Sequence, residues 1–154
     1  MDCSDEKYMA LALTEAKKAG QMGEVPIGAI LVSDSQAILS ATHNRTIDLT
    51  DPTAHAEILA LRESARIINN YRILNTTLYV TVEPCIMCMG AIVHARISKV
   101  VFGTEDPRWG AAGSLYDFSE DNRLNHPVTI TRGVCEQECR SLIQDFFRAK
   151  RVSK

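Results

Sequence analysis

Short β-rich runs alternate with stretches of helical periodicity along the whole chain, and this alternation constrains the fold more than any other feature. Residues 5–19 set Tyr8, Met9, Leu11, Ala12, Ala16 and Ala19 mainly on one helical stripe, with Gly20 as a stop. Two strand-like runs, 27–33 and 37–43, flank Asp34-Ser35-Gln36 and read as an antiparallel hairpin. Asp51-Pro52 then opens a turn, and Ile58, Leu59, Leu61, Ala65 and Ile68 predict an amphipathic helix from about 54 to 69. A strand over 77–82 is followed by Pro84, at the favoured first position of a helix that runs to about Ala95. Residues 99–103 and 128–132 read as strands, with a Gly- and Asp-rich loop over 104–125 that has room for a short helix, and the segment from Cys135 to Arg151 closes as a helix.

The order α-β-β-α-β-α-β-β-α implies right-handed crossovers between parallel strands, plus one antiparallel strand from the first hairpin. The fold expected is a three-layer α/β/α sandwich around a mixed five-stranded sheet, in one domain spanning 1–154, with ligands at the carboxyl ends of the strands. The 154 residues are 45% hydrophobic and 23% charged, which excludes a disordered or low-complexity chain. A net charge of −2 excludes a broadly basic nucleic-acid coat, although residues 140–154 alone carry +4. No apolar run approaches the roughly 18 residues of a membrane span, and the first residues lack the pattern of a signal peptide. The expected setting is therefore a reducing cytoplasm, where the five cysteines act as metal ligands or free thiols rather than disulfides.

Two strings carry the chemistry. His55-Ala56-Glu57 and Pro84-Cys85-Ile86-Met87-Cys88 each open a predicted helix. Residues three apart share a helix face, and a helix N-terminus favours the thiolate form, so Cys85 and Cys88 suit a soft metal. With the imidazole of His55 they form one nitrogen and two sulfur ligands, a set suited to zinc. Three protein ligands leave an open position for water, as catalytic rather than structural zinc requires. Glu57, two residues beyond His55, is placed to move protons for that water. A C-x-x-C pair alone also fits a redox couple or a structural zinc site. The adjoining His-x-Glu string disfavours the redox reading, and Glu57 disfavours a non-catalytic zinc scaffold, which needs a fourth ligand and no acid or base.

His-x-Glu followed by Pro-Cys-x-x-Cys is the signature of zinc-dependent nucleobase deaminases, and the chain resembles the cytidine/deoxycytidylate deaminase superfamily over nearly its whole length. Within it, EVPIGAILV (24–32), GAAGSL (110–115) and DFFRAKR (145–151) are similar to the branch that converts the wobble adenosine of a tRNA anticodon to inosine. The resemblance implies a cytidine deaminase-like fold, one zinc ion per subunit held by His55, Cys85 and Cys88, and Glu57 as proton shuttle. It implies that Asn44 hydrogen-bonds the nucleoside, that Val25, Pro26 and Ala54 line the base pocket, and that Asp106 approaches the nucleotide backbone. Phe147, Arg148 and Arg151 match contacts to the anticodon stem-loop of tRNA, and the family is a homodimer that spans no membrane. The reaction the resemblance implies is replacement of the C6 amine of a flipped-out adenine by water, with Glu57 carrying protons to N1 and to the leaving amine.

Pro107-Arg108-Trp109 departs from the family pattern by placing a large aromatic before GAAGSL. The alternative is a deaminase of a free nucleobase or nucleoside, guanine or cytidine, which would share every zinc residue. The basic C-terminal helix argues against it, because a small substrate needs no phosphate contacts beyond the pocket. Elsewhere, His94 reads as a helix-end or dimer-surface residue rather than a ligand, His126 as solvated, and Cys135 and Cys139 as packing thiols on the last helix. Of the adjacent Phe146 and Phe147, one is expected in the core and the other more exposed.

Overall fold

The computed structural model describes residues 3–152. Its elements are α1 (Cys3–Gln21), β1 (Gly28–Ser33), β2 (Ile38–His43), α2 (Ala56–Ile68), β3 (Thr76–Val82), α3 (Ile86–His94), β4 (Lys99–Thr104), β5 (Thr129–Arg132) and α4 (Glu136–Val152). The expected order of elements is therefore the observed one. The strands form one sheet in the order β2-β1-β3-β4-β5. β1 is antiparallel to both of its neighbours, whereas β3, β4 and β5 pair in parallel. The single antiparallel strand thus lies inside the sheet, because the chain leaves the hairpin through α2 and returns on the far side of β1.

Alternation along the strands divides the core in two. Ala29, Leu31, Leu78, Val80, Val100 and Phe102 pack against α2 and α3. Ile30, Val32, Tyr79 and Val101 pack against Tyr8, Met9, Ala12 and Leu13 of α1 and Cys139 of α4. The result is the three-layer α/β/α sandwich. No helix among the described residues is long and apolar enough to cross a membrane.

Five local expectations are corrected. Pro84 stands before the cap of α3 rather than at its first position, because Cys85 stays extended and pairs across an isolated bridge with Gly110. The 105–128 segment contains turns and no helix. His126 is half-buried, and its Nε2–H donates to the Ile97 carbonyl at 2.8 Å, so it pins the loop before β5. Cys135 takes a left-handed φ of 53° just before α4, so only Cys139 lies within the helix. Phe146 is only half-buried; its neighbour Phe147 is exposed, and the two rings meet edge-on at 5.4 Å. His94 is the exposed last residue of α3, as expected.

Close approach fixes both helices on the α1/α4 side. A Cβ on Gly28 would stand 2.0 Å from the Ala12 carbonyl oxygen of α1. At Gly103 it would stand 2.3 Å from Cys139 Sγ and 2.7 Å from the Thr81 carbonyl oxygen. Gly103→Ala is expected to displace α4 and destabilise the fold by about 1–3 kcal/mol. A lowered urea midpoint at unchanged denaturant dependence would register this; an unchanged midpoint would mean that α4 yields freely.

Candidate active site

His55 and Cys85 occupy equivalent places in the fold. Each is the N-cap of its helix, with extended backbone: φ −70° and ψ 154° at His55, φ −79° and ψ 179° at Cys85. Neither side chain caps its own helix, so both project to other partners. Cys88 lies one turn into α3, buried on the same side as Cys85. The His55 Nδ1 atom is 3.7 Å from Cys85 Sγ and 3.5 Å from Cys88 Sγ, and all three donor atoms lie within 4.8 Å of one another. Zinc bonds of about 2.0 Å to nitrogen and 2.3 Å to sulfur, at tetrahedral angles, separate the two donors by about 3.5 Å. The donor set therefore fits a tetrahedral zinc ion in both chemistry and spacing.

One of the two sulfurs is held as the thiolate that a soft metal needs. The hydrogen bond from Cys88, helped by His55, holds the Cys85 thiol down to about 4, while Cys88 is pushed upward. The bond to Cys85 raises the imidazole of His55 against the opposing effect of burial. Glu57, in the first turn of α2, is 3% exposed, and burial raises its carboxyl to about 7. Its Oε1 is buried without a hydrogen-bond partner among the described residues. Unpaired buried polar atoms are costly and mark a place for water, an ion or substrate. A carboxyl of this kind beside a metal can both accept and release a proton near neutral pH.

The carboxyl ends of β2, β3 and β4 meet this centre. The buried Asn44 follows β2, and its backbone N–H donates to the Ile27 carbonyl at 3.0 Å, beside half-buried Val25 and buried Pro26. The Arg45 N–H donates to the carbonyl of buried Ala54 at 3.0 Å, which ties the same loop to the residue before His55. Asp106 follows β4 and is half-buried on the rim. The donor atoms brought together are those of His55, Cys85 and Cys88, while backbone hydrogen bonds tie the Asn44–Arg45 segment to Ile27 and Ala54, and Asp106 to Glu83 and Gly110. Phe147, Arg148 and Arg151 are not part of this cluster. They lie on the exposed last turns of α4, where Arg148 pairs with Asp145 at 3.1 Å.

Two buried carboxylates that position the site escaped the sequence reading. Glu83, immediately before Pro84, accepts the backbone N–H groups of Asp106 at 3.1 Å and of Ala112 and Ser114 at 3.0 Å, together with the Ser114 hydroxyl. It clamps the loop after β4 onto the Cys85 segment, where the Ala111 N–H also donates to the Pro84 carbonyl at 2.8 Å. Glu24 does the same for the loop after β2, accepting Asp48 N–H at 2.7 Å and Ile47 N–H at 3.2 Å. For Glu83 the available signal was a charged residue directly after β3 and next to a motif; Glu24, in the turn between α1 and β1, carried none.

A family model described as the cytidine and deoxycytidylate deaminase zinc-binding region matches residues 2–104. The tRNA-specific adenosine deaminase of Haemophilus influenzae is 50% identical over 150 residues, covering 97% of this chain and 87% of that protein. That of Bacillus subtilis is 44% identical over 150 residues, covering 97% and 92%. A solved structure from a study of A-to-I editing by tRNA:A34 deaminases superposes with a TM-score of 0.85 at 40% identity, over 88% of this chain and 98% of that one.

Proposed function

The chain belongs to the cytidine and deoxycytidylate deaminase family, and from that membership we propose that it is a zinc-dependent tRNA adenosine deaminase. The reaction consumes water and the wobble adenosine of a tRNA anticodon and yields inosine and ammonia. The observation that carries the reading is the His55, Cys85 and Cys88 donor set beside the buried, unpartnered Oε1 of Glu57. The substrate class rests on the relatives named above.

His55 Nδ1, Cys85 Sγ and Cys88 Sγ would hold the ion, one per subunit. Zinc bound there supplies Lewis-acid activation of a water molecule near neutral pH. Glu57 would carry one proton of the attacking water to N1 of the purine and the second, from the hydroxyl added at C6, to the amine, which leaves as ammonia as the C6 carbonyl of inosine forms. The N-terminus of α3, at Cys85, carries the positive end of the helix dipole and would favour the negative charge that develops on the attacking oxygen. Asn44 holds the nucleoside, and Val25, Pro26 and Ala54 form the wall against the base. Asp106 approaches the nucleotide backbone, while Phe147, Arg148 and Arg151 meet the anticodon stem. Single-stranded anticodon loops release a base at low cost, which suits a recessed site. We read the protein as one deaminase domain over 1–154, acting as a homodimer in the cytoplasm, with the exposed Ile86 beside Cys85 available to an apolar interface.

The test is incubation of the zinc-loaded protein with an anticodon stem-loop, free adenosine, cytidine and guanine. Inosine in the stem-loop, with one ammonia per inosine and one zinc per chain, is expected. Uridine from cytidine or xanthine from guanine, with an unchanged stem-loop, would place the chain among deaminases of free nucleosides or bases. Bound zinc with no ammonia from any substrate would make it a scaffold.

A further inference from the structure

We propose that Trp109 is a stacking platform for the nucleobase next to the reacting adenosine, an inference that rests on the tRNA reading above and deepens it. Trp109 is the one tryptophan in the chain and is 65% exposed. A ring that large left in water contributes little to the fold, and its position on the rim gives it a use. It directly precedes Gly110, which bridges to Cys85.

The backbone under the ring is fixed. Asp106 Oδ1 accepts the N–H of Arg108 at 3.1 Å and of Trp109 at 3.2 Å, and the Asp106 carbonyl accepts Gly110 N–H at 2.8 Å. Glu83 holds Asp106 itself through its N–H at 3.1 Å. Gly110 is enclosed on the other side: a Cβ there would stand 2.4 Å from the Glu83 carboxyl carbon. The exposed ring therefore sits on a preorganised loop, which lowers the ordering cost of binding.

The neighbouring charge identifies the ligand. Arg108, the residue before Trp109, is exposed and takes part in none of the ion pairs among the described residues, so a cation adjoins the exposed aromatic residue in the chain. An aromatic surface next to a lone guanidinium matches a base and the phosphate that links it to the next nucleotide in single-stranded RNA. A free nucleoside has no second base to offer, so Trp109 would separate an RNA loop from a mononucleoside. Stacking on one base corresponds to roughly 5- to 150-fold in affinity.

The experiment uses the zinc-loaded full chain and an anticodon stem-loop. Because Trp109 is the only tryptophan, its fluorescence reports on itself. Quenching is expected with the stem-loop and not with free adenosine. Trp109→Ala should raise KM for the stem-loop about 5- to 150-fold, with kcat within about twofold and an unchanged melting temperature. Trp109→Phe should recover most of the loss. Stem-loops made abasic on the 5′ or the 3′ side of the adenosine provide the decisive control. One of them should weaken wild-type binding as much as Trp109→Ala does, with no further loss when the two changes are combined. Absence of quenching, an unchanged KM in Trp109→Ala, a phenylalanine variant no better than alanine, or additive losses with both abasic substrates would each overturn the proposal. If wild type and Trp109→Ala edit the stem-loop equally, stacking alone is wrong. If wild type does not edit it, the tRNA reading falls as well and takes this proposal with it.

Discussion

Replacing Glu57 with glutamine is expected to leave zinc bound and cut deamination by at least about 100-fold, toward 10,000-fold. Glutamine fills the same volume in a position that is 3% exposed, so packing around His55 and Cys88 is preserved. What disappears is a group able to take and return a proton, which the reaction requires twice. Metal content by mass spectrometry and single-turnover ammonia release are the two readouts. Zinc retained with wild-type turnover would move the proton transfers to another residue. The same substitution has a stability consequence in the metal-free protein. Burial raises the Glu57 carboxyl from the ordinary 4.5 to about 7, so the folded state holds the proton more tightly than the unfolded chain does. The stability that Glu57 contributes is present below pH 4.5 and is lost as pH rises through 7. Relative to Glu57→Gln, the metal-free wild type should therefore weaken across that interval, by up to about 3 kcal/mol. Parallel stability curves for the two proteins would show that the carboxyl is not held in its protonated form.

Glu83→Ala is expected to be the most damaging change to the fold around the site, costing about 3 kcal/mol or more. Three backbone N–H groups, from Asp106, Ala112 and Ser114, lose their acceptor together. Each buried donor left unsatisfied costs about 1–3 kcal/mol. The loop they belong to also bridges Cys85 through Gly110, so zinc affinity should fall with stability. Glu83→Gln should lie between, because one amide oxygen still accepts while the amide NH2 faces other donors. Denaturant midpoints and zinc occupancy measured for both variants test the clamp. A stable, fully loaded Glu83→Ala protein would show that the 105–116 loop is held by its remaining contacts.

Much of this molecule was legible in local spacing. Periodicity gave every helix and strand in order, because each buries one face against a neighbour and must repeat at its own period. The His55-Ala56-Glu57 and Pro84-to-Cys88 strings gave the donor set, because ligands on one helical turn are set by covalent geometry and need no long-range contact. The backbone at Cys85 was not legible. It is extended, as His55 also is at its N-cap, and it pairs with Gly110 on a distant loop, which leaves Pro84 outside the helix. His126 was read as solvated, because the Ile97 carbonyl that fixes it is remote in sequence.

The sequence by itself determined which elements form and which side chains can bind a soft metal, since both depend on neighbours within a turn or a strand. Only the tertiary structure decided that β1 lies inside the sheet, that two helix caps face each other, and that Glu24 and Glu83 hold the surrounding loops. Those carboxylates accept backbone N–H groups 23 to 31 residues away. Every residue but proline carries an identical N–H, so nothing in the one-dimensional string marks which of them a buried acid will find.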